Sequence, residues 1–246
     1  MGSNVFISEL KVVTAGMALF AIFFGRVEAA FTATVTPHRA FYEMQLGNAD
    51  QNANVQAVTG RSAFTLGRDC SGWQSNEDYV IEFAGKEGNT DRIISHFESW
   101  ESDAGDMYSF EISEQSSFQT KKDFNGYANV TSKEGNAYFS IGDDAPMKLP
   151  PDTYFPMRHL NAIIDGAEKG KTILAASVFT GADPDDALLA TNTVIGSWKI
   201  EAPAARMGKF GRKGYWPVQT AYFKPEAKVA EPEYEINYSM QSNGVV

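Results

Sequence analysis

The chain has 246 residues, of which 13% are aromatic and 21 are glycine, and its formal net charge is −10. This length is enough for a sizeable core, and all-β folds of about 200 to 250 residues often form one domain. The negative charge argues against a nucleic-acid partner, which needs clustered Lys and Arg, and against anionic membrane surfaces.

The N-terminal segment has the features of a signal peptide. A 14-residue apolar run from Val12 to Gly25 follows Lys11, and small residues stand at Ala29 and Ala30. We expect residues 1–29 to be removed by cleavage after Ala29, so that 30–246 forms the mature domain. A membrane-spanning helix needs about 20 apolar residues, so an uncleaved anchor is the weaker alternative.

Alternating apolar and polar residues predict a series of short strands after this segment. Turn residues separate them every 8 to 15 positions or so, which favours an antiparallel meander over βαβ units. About ten or eleven strands are expected, and they fall at 40–46, 62–66, 79–83, 92–101, 107–112, 124–130, 136–141, 173–179, 191–200, 216–223 and 234–240. Trp73 is expected in the turn after the second strand.

One internal segment, 156–169, predicts an amphipathic helix. Pro156 suits a first helical turn, and Gly170 supplies a left-handed stop. Apolar residues recur between them at three- and four-residue spacing, namely Leu160, Ile163, Ile164 and Ala167. The fold class predicted is therefore all-β, a strongly curved antiparallel meander whose concave face this helix fills.

The residues that carry chemistry do not form a recognisable catalytic or metal motif. The three histidines, His38, His96 and His159, are far apart, and no G-x-S-x-G elbow or glycine-rich phosphate loop is present. We therefore predict no enzyme activity, no cofactor and no metal site. A secreted hydrolase or carbohydrate-active β-protein remains the alternative, with acidic pairs at Asp103 with Asp106 or Asp143 with Asp144.

Four stretches of the chain carry a resemblance to a known family. They are PHRAFYEMQL at 37–46, CSGW at 70–73, LPPDTYFPMRHLNAIIDGAEKG with VFTG at 149–181, and WPVQTAYF at 216–223. In this order they resemble the EipB family of cell-envelope integrity proteins, periplasmic proteins of alphaproteobacteria. The resemblance covers nearly all of the chain after residue 36.

The resemblance implies a β-spiral or half-barrel fold, a periplasmic location and a role in cell-envelope integrity. It also implies a tetratricopeptide-repeat protein as partner. Because the family is compared with periplasmic lipoprotein carriers, a lipid or lipoprotein ligand is a further expectation. We expect such an apolar ligand, or a protein partner, to bind the concave face. Candidate residues of this groove are Trp73, Phe155, Leu160 and Ile164.

Cys70 is the one cysteine of the sequence. The resembled family pairs a cysteine at this CSGW position with one near its C-terminus, so we expect a disulfide partner that this chain lacks and a chain truncated at its C-terminal end. A natural single buried thiol is the alternative.

Overall fold

The computed structural model describes residues 35–47, 54–86, 88–117, 121–142, 145–202, 205–225 and 231–246. All of them belong to one compact unit, Thr32–Val246. The predicted signal segment lies outside the described residues, and its cleavage stays a prediction. In the part of the chain that is described, no helix has the length and apolar character needed to cross a membrane.

The first half of the chain forms an eight-stranded antiparallel sheet in which each strand pairs with the next. The strands are β1 (His38–Gln45), β2 (Val55–Arg68), β3 (Gly72–Gly85), β4 (Thr90–Ser102), β5 (Met107–Ser116), β6 (Lys122–Val130), β7 (Gly135–Phe139) and β8 (Met147–Leu149). Three of them, β2 to β4, are 13 or 14 residues long. Within the described residues β1 and β8 do not pair, so the sheet is open.

The second half contributes the helix and a smaller sheet. Helix α1 (Pro156–Glu168) precedes β9 (Ile173–Phe179), β10 (Leu188–Ile195), β11 (Trp216–Phe223) and β12 (Tyr234–Met240), with a short 3₁₀ segment at Ala205–Phe210 before β11. The four strands are antiparallel in the order β12-β11-β10-β9. The predicted all-β meander with one internal amphipathic helix is confirmed.

Several predicted strand limits are wrong. Strands β2 and β3 extend well beyond the predicted 62–66 and 79–83, because neighbours on both sides satisfy their backbone groups even where polar residues interrupt the apolar pattern. Trp73 therefore lies within β3 rather than in a turn. Trp198, predicted in a strand, lies beyond the end of β10.

Helix α1 receives its N-terminal cap from another strand. Its N-cap residue, Phe155, makes no capping hydrogen bond with its side chain. Instead, the carboxylate of Glu101 at the end of β4 accepts hydrogen bonds from the backbone N–H groups of Met157 and Arg158, both at 2.7 Å. These are donors that no helix can satisfy by itself. The helix ends before Gly170, whose φ of 72° is left-handed.

Two apolar clusters form the core. The first joins β5 to β8 with Phe155 and with the turn between β9 and β10; it contains Tyr108, Phe110, Ile112, Phe124, Ala128, Val130, Ala137, Leu149, Phe155, Phe179 and Ala187. The second packs α1 between ends of both sheets; it contains Val35, Leu66, Trp73, Ile163, Ile164, Ala167, Ile195, Val218 and Met240. The apolar face of α1 is thus buried, as its periodicity predicts.

Candidate functional site

The core covers only one end of the long strands β2 to β4. Because side chains alternate between the two faces of a strand, residues an even number of positions from Leu66 on β2 share its face. Leu66 and Phe64 pack in the second cluster near one end of that face. Towards the other end the same face continues past Ser62 and Gly60 to Val58.

Six apolar side chains occupy the end of this face that neither core cluster covers within the described residues, called here the uncovered end. We call them the apolar ledge: Met44, Leu46, Val58, Ile81, Phe83 and Ile93. Ile81 lies opposite Ile93, and Val58 lies opposite Phe83. All six are half-buried. In the described part of the chain, none of them belongs to either core cluster or packs against one.

Gly60 keeps the ledge continuous. It stands between Met44 on β1 and Ile81 on β3. A Cβ at this position would lie 2.7 Å from the backbone oxygen of Val80 and 3.2 Å from Cγ1 of Ile81. The side chain of Ile81 thus uses the space that a larger residue at position 60 would need.

A row of hydroxyl and carboxylate groups separates the ledge from the core. Ser62 donates a hydrogen bond from Oγ to Oε1 of Glu77 at 2.6 Å, and Tyr79 donates one from its hydroxyl to Oε2 of Glu114 at 2.9 Å. Burial, assisted by Glu77, raises the pKa of Tyr42, the residue of β1 in this row. Burial is also the largest cause that raises the pKa of Tyr79. Both tyrosines therefore remain protonated at neutral pH. The hydroxyl protons of Ser62 and Tyr79 are used within the row, so the row offers the neutral hydroxyl of Tyr42 and two acidic acceptors.

The residues predicted to line a groove lie elsewhere, in the packed core. Phe155 belongs to the first cluster, where its ring stacks on Tyr108 with centroids 5.2 Å apart. Trp73 and Ile164 are buried in the second cluster, and Leu160 is half-buried against it. The structure brings these three together and separates them from Phe155. Their role in ligand binding stays a prediction.

Sequence reasoning missed the ledge itself. The alternation of Tyr42, Met44 and Leu46 is visible in the sequence, but Ile81 and Ile93 become their neighbours only through strand register.

Cys70 lies between the end of β2 and the start of β3. It is exposed and unpaired among the described residues, so the alternative of a buried thiol is wrong. The turn that presents it is closed by Asp69, whose Oδ1 accepts hydrogen bonds from the backbone N–H groups of Ser71 and Gly72. The disulfide with a C-terminal cysteine stays a prediction.

The first acidic pair considered for a hydrolase, Asp103 and Asp106, stabilises the turn between β4 and β5. Asp103 forms an ion pair with Arg68 at 2.9 Å, and Oδ1 of Asp106 accepts a hydrogen bond from Ser102. Neither carboxylate lines the cavities of about 340 Å³ and 550 Å³ that lie on the eight-stranded sheet. Asp143 and Asp144 lie outside the described residues.

A second arrangement resembles catalytic machinery but has the wrong hydrogen bonds. Asp78, His96 and Ser113 lie opposite one another on β3, β4 and β5. Nδ1 of His96 lies 2.7 Å from Asp78, and its Nε2 lies 3.3 Å from Glu98. Since both ring nitrogens face carboxylates, neither is left to accept a proton from Ser113. The hydrogen bond with Asp78 is the main cause that raises the pKa of His96, which favours an ion pair.

The other two histidines are structural. His38 is buried, with Nδ1 2.7 Å from the backbone oxygen of Thr36. His159 is buried on α1, and burial lowers its pKa to about 4, so it is neutral.

Comparison with known proteins gives consistent matches along most of the chain. Residues 29–246 match the family model described as EipB-like. The chain is 28% identical over 234 residues to the cell envelope integrity protein EipB of Brucella abortus, a match that covers 92% of this chain and 82% of the relative. The crystal structure of a beta-barrel-like protein of a domain of unknown function, also from Brucella abortus, superposes with a TM-score of 0.79 at 26% identity, covering 86% of this chain and 89% of that one.

Proposed function

Because the chain belongs to the EipB-like family, we propose that it maintains the integrity of a bacterial cell envelope as a non-enzymatic periplasmic protein. The name of its Brucella relative supports the envelope role. The predicted signal segment supports export to the periplasm.

We propose further that the protein works by binding an acyl chain on the apolar ledge. The observation that carries this proposal is six half-buried apolar side chains, adjacent across three strand pairings, that neither core cluster covers. Each methylene that such a ligand removes from water contributes about 0.8 kcal/mol. A chain of several methylenes laid along Met44, Ile81 and Ile93 therefore gains enough to offset the entropy lost on binding.

The polar row at the edge of the ledge selects the head of the ligand. Glu77 and Glu114 disfavour an anionic head group by like-charge repulsion, while the hydroxyl of Tyr42 donates to a neutral oxygen, since the single O–H of Tyr79 already bonds Glu114. The ligand class is therefore an acyl chain with an uncharged polar group, such as an ester. A partner protein that presents apolar side chains, including the tetratricopeptide-repeat partner implied by family resemblance, is the second occupant that the same ledge suits.

A matched pair of substitutions tests this function. We expect Ile93→Gln to weaken binding of monododecanoylglycerol, measured by isothermal titration calorimetry, by roughly tenfold, because a polar amide then stands in the apolar row. Ile173→Gln is the control, since Ile173 is 67% exposed at the start of β9, in the other sheet. Equal binding by both variants, or no binding by the wild type, would contradict the acyl-chain proposal.

The envelope role has its own test in the bacterium that encodes this chain. Deletion of the gene should sensitise cells to detergent, the wild-type gene should restore resistance, and the Ile93→Gln variant should restore it only in part. A deletion strain with normal resistance would contradict the proposed role. Full rescue by a stably folded Ile93→Gln variant that no longer binds the acyl probe would indicate that a protein partner, not an acyl chain, uses the ledge.

A further inference from the structure

The opposite face of the same strands carries a separate cavity of about 340 Å³. This volume is within the range of small-molecule sites. Apolar neighbours divide between the two faces: Ile81 and Ile93 belong to the ledge, whereas Val80 and Ile94 line the cavity. Ser62 and Tyr79 of the polar row also border the cavity, because they alternate with its lining residues along β2 and β3. A ligand in this cavity is therefore separated from the ledge by the thickness of the sheet.

The lining combines apolar surface with cationic groups. Phe41 is 82% exposed and Ile94 is 43% exposed, and Val80 lies half-buried between their strands. Arg61, His96 and Lys121 also line the cavity, against a single carboxylate, that of Asp78. An excess of basic over acidic lining residues is unusual in a chain with a net charge of −10.

Arg61 is the cation that remains available to a ligand. His96 is held between Asp78 and Glu98, and Lys121 pairs with Asp123 at 2.7 Å. Glu43 lies opposite Arg61 on β1, yet no ion pair to Arg61 is found among the described residues. An exposed guanidinium beside apolar side chains matches a carboxylate, which it binds with two parallel hydrogen bonds.

A neighbouring cavity on the same face provides an internal comparison. It is larger, about 550 Å³, and it surrounds Trp100, but its lining contains two glutamates, Glu98 and Glu111, and no Lys, Arg or His. Cationic lining is therefore a property of the smaller cavity and not of this face as a whole.

We infer that the smaller cavity binds a short amphiphilic carboxylate. The carboxylate pairs with the guanidinium of Arg61, and the hydrocarbon part packs on Phe41, Val80 and Ile94. Burial of the exposed ring of Phe41 supplies apolar contact that the free protein lacks. This site does not depend on the ledge or on its proposed ligand.

Octanoate is the probe, and the imidazole of His96 is a reporter placed in the cavity. The chain has three histidines, so NMR signals of their ring Cε1–H groups are readily assigned by substitution. We expect octanoate to shift the signal of His96 in a saturable way while His38 and His159, both buried elsewhere, remain unchanged. Octyltrimethylammonium, with the opposite charge, should leave all three signals in place.

Two arginines of the same face form the matched pair of variants. Arg61→Gln should weaken octanoate binding roughly tenfold or more, because a charge-assisted pair is lost. Arg39→Gln should bind normally, since Arg39 is exposed on β1 and does not line the cavity. Phe41→Ser should weaken binding through lost apolar contact.

This inference would be overturned by no saturable shift at His96, by equal loss in Arg61→Gln and Arg39→Gln, or by equal binding of both octyl probes. Loss of octanoate binding in Ile93→Gln but not in Arg61→Gln would assign the probe to the ledge and would also overturn it. Failure of the acyl-chain proposal leaves the octanoate result unaffected, because the two sites use different faces and different probes.

Discussion

The core-facing side of the eight-stranded sheet carries apolar side chains at both ends, but they are buried at one end and only half-buried at the other. At one end, Leu66 and Trp73 are buried because α1 and strands of the second sheet pack on them. At the other end, Ile81 and Ile93 stay half-buried because neither cluster reaches them. Apolar alternation along a strand thus shows which side chains share a face. Whether those side chains become core or remain available to a ligand depends on the element that packs on them.

The largest difference between the two ends is expected on truncation at the covered end. Ile164, on the apolar face of α1, is fully buried in the second cluster. Ile164→Ala should lower the free energy of unfolding by about 2 to 5 kcal/mol through lost transfer energy and a cavity. Urea denaturation measures this change. A loss below about 1 kcal/mol would mean that the second cluster does not hold the helix in place.

Glu101 holds the first turn of α1 at the covered end, so its removal should be the next largest effect. Glu101→Ala leaves the backbone N–H groups of Met157 and Arg158 without their acceptor. We expect a loss of about 1 to 3 kcal/mol in the free energy of unfolding. Amide hydrogen exchange at the start of α1 should accelerate at the same time. Unchanged exchange there would contradict the capping role.

The same carboxyl makes the covered end sensitive to pH. Burial raises the pKa of Glu101 from 4.5 to about 7, against the opposing effect of its backbone donors and Arg158. Between these values the folded chain keeps a proton that the unfolded chain has lost. The free energy of unfolding therefore falls as pH rises through this window, by at most about 1.4 kcal/mol per pH unit. Glu101→Gln cannot titrate and should remove this part of the slope in denaturation measured across the window.

At the uncovered end, Gly60→Ala tests whether the ledge is closely fitted. The added methyl group meets the backbone of Val80 and the side chain of Ile81, so a loss of about 1 to 3 kcal/mol is expected. Binding of monododecanoylglycerol should weaken as Ile81 shifts. Gly47→Ala is the control, because nothing lies within 4 Å of a Cβ at that position. If both variants changed the free energy of unfolding equally, the change would reflect only the backbone entropy that distinguishes glycine from alanine, and not a close fit at position 60.

The smallest change in stability is expected for truncation within the ledge. Ile93→Ala removes a half-buried side chain that contacts neither cluster, so the free energy of unfolding should fall by only about 1 kcal/mol. Acyl-probe binding should fall with it. A loss as large as that of Ile164→Ala would show that the ledge is part of the core and would remove the contrast between the two ends.

Local sequence signals predicted those elements of the fold whose limits depend on neighbouring residues in the chain. Helix α1 begins at Pro156 and ends before Gly170, because proline suits a first turn and glycine accepts a left-handed φ. The antiparallel meander follows from short strands separated by frequent turns. Strand lengths were underestimated, because polar residues such as Gln74 and Asn76 are paired in register with β2 on one side and β4 on the other, so the strand continues through them.

The candidate binding sites could not be predicted in this way, because they depend on contacts between residues far apart in the sequence. Phe155, Trp73 and Ile164 are apolar and near the helix or a strand end, which made a groove plausible, yet packing places them in filled clusters. The pairing of Arg61 with Phe41 and Ile94 at one cavity results from the register of β1 to β4.

The sequence by itself thus determined the all-β class, the internal helix α1 and the family, because periodicity, turn residues and ordered motifs are local properties of the sequence. Only the tertiary structure decided which apolar residues are core and which remain a surface for ligands. A side chain's exposure depends on what packs against its strand from distant parts of the chain. For Ile93 nothing from either core cluster does, while Ile164 on α1 is buried by residues of both sheets in the second cluster.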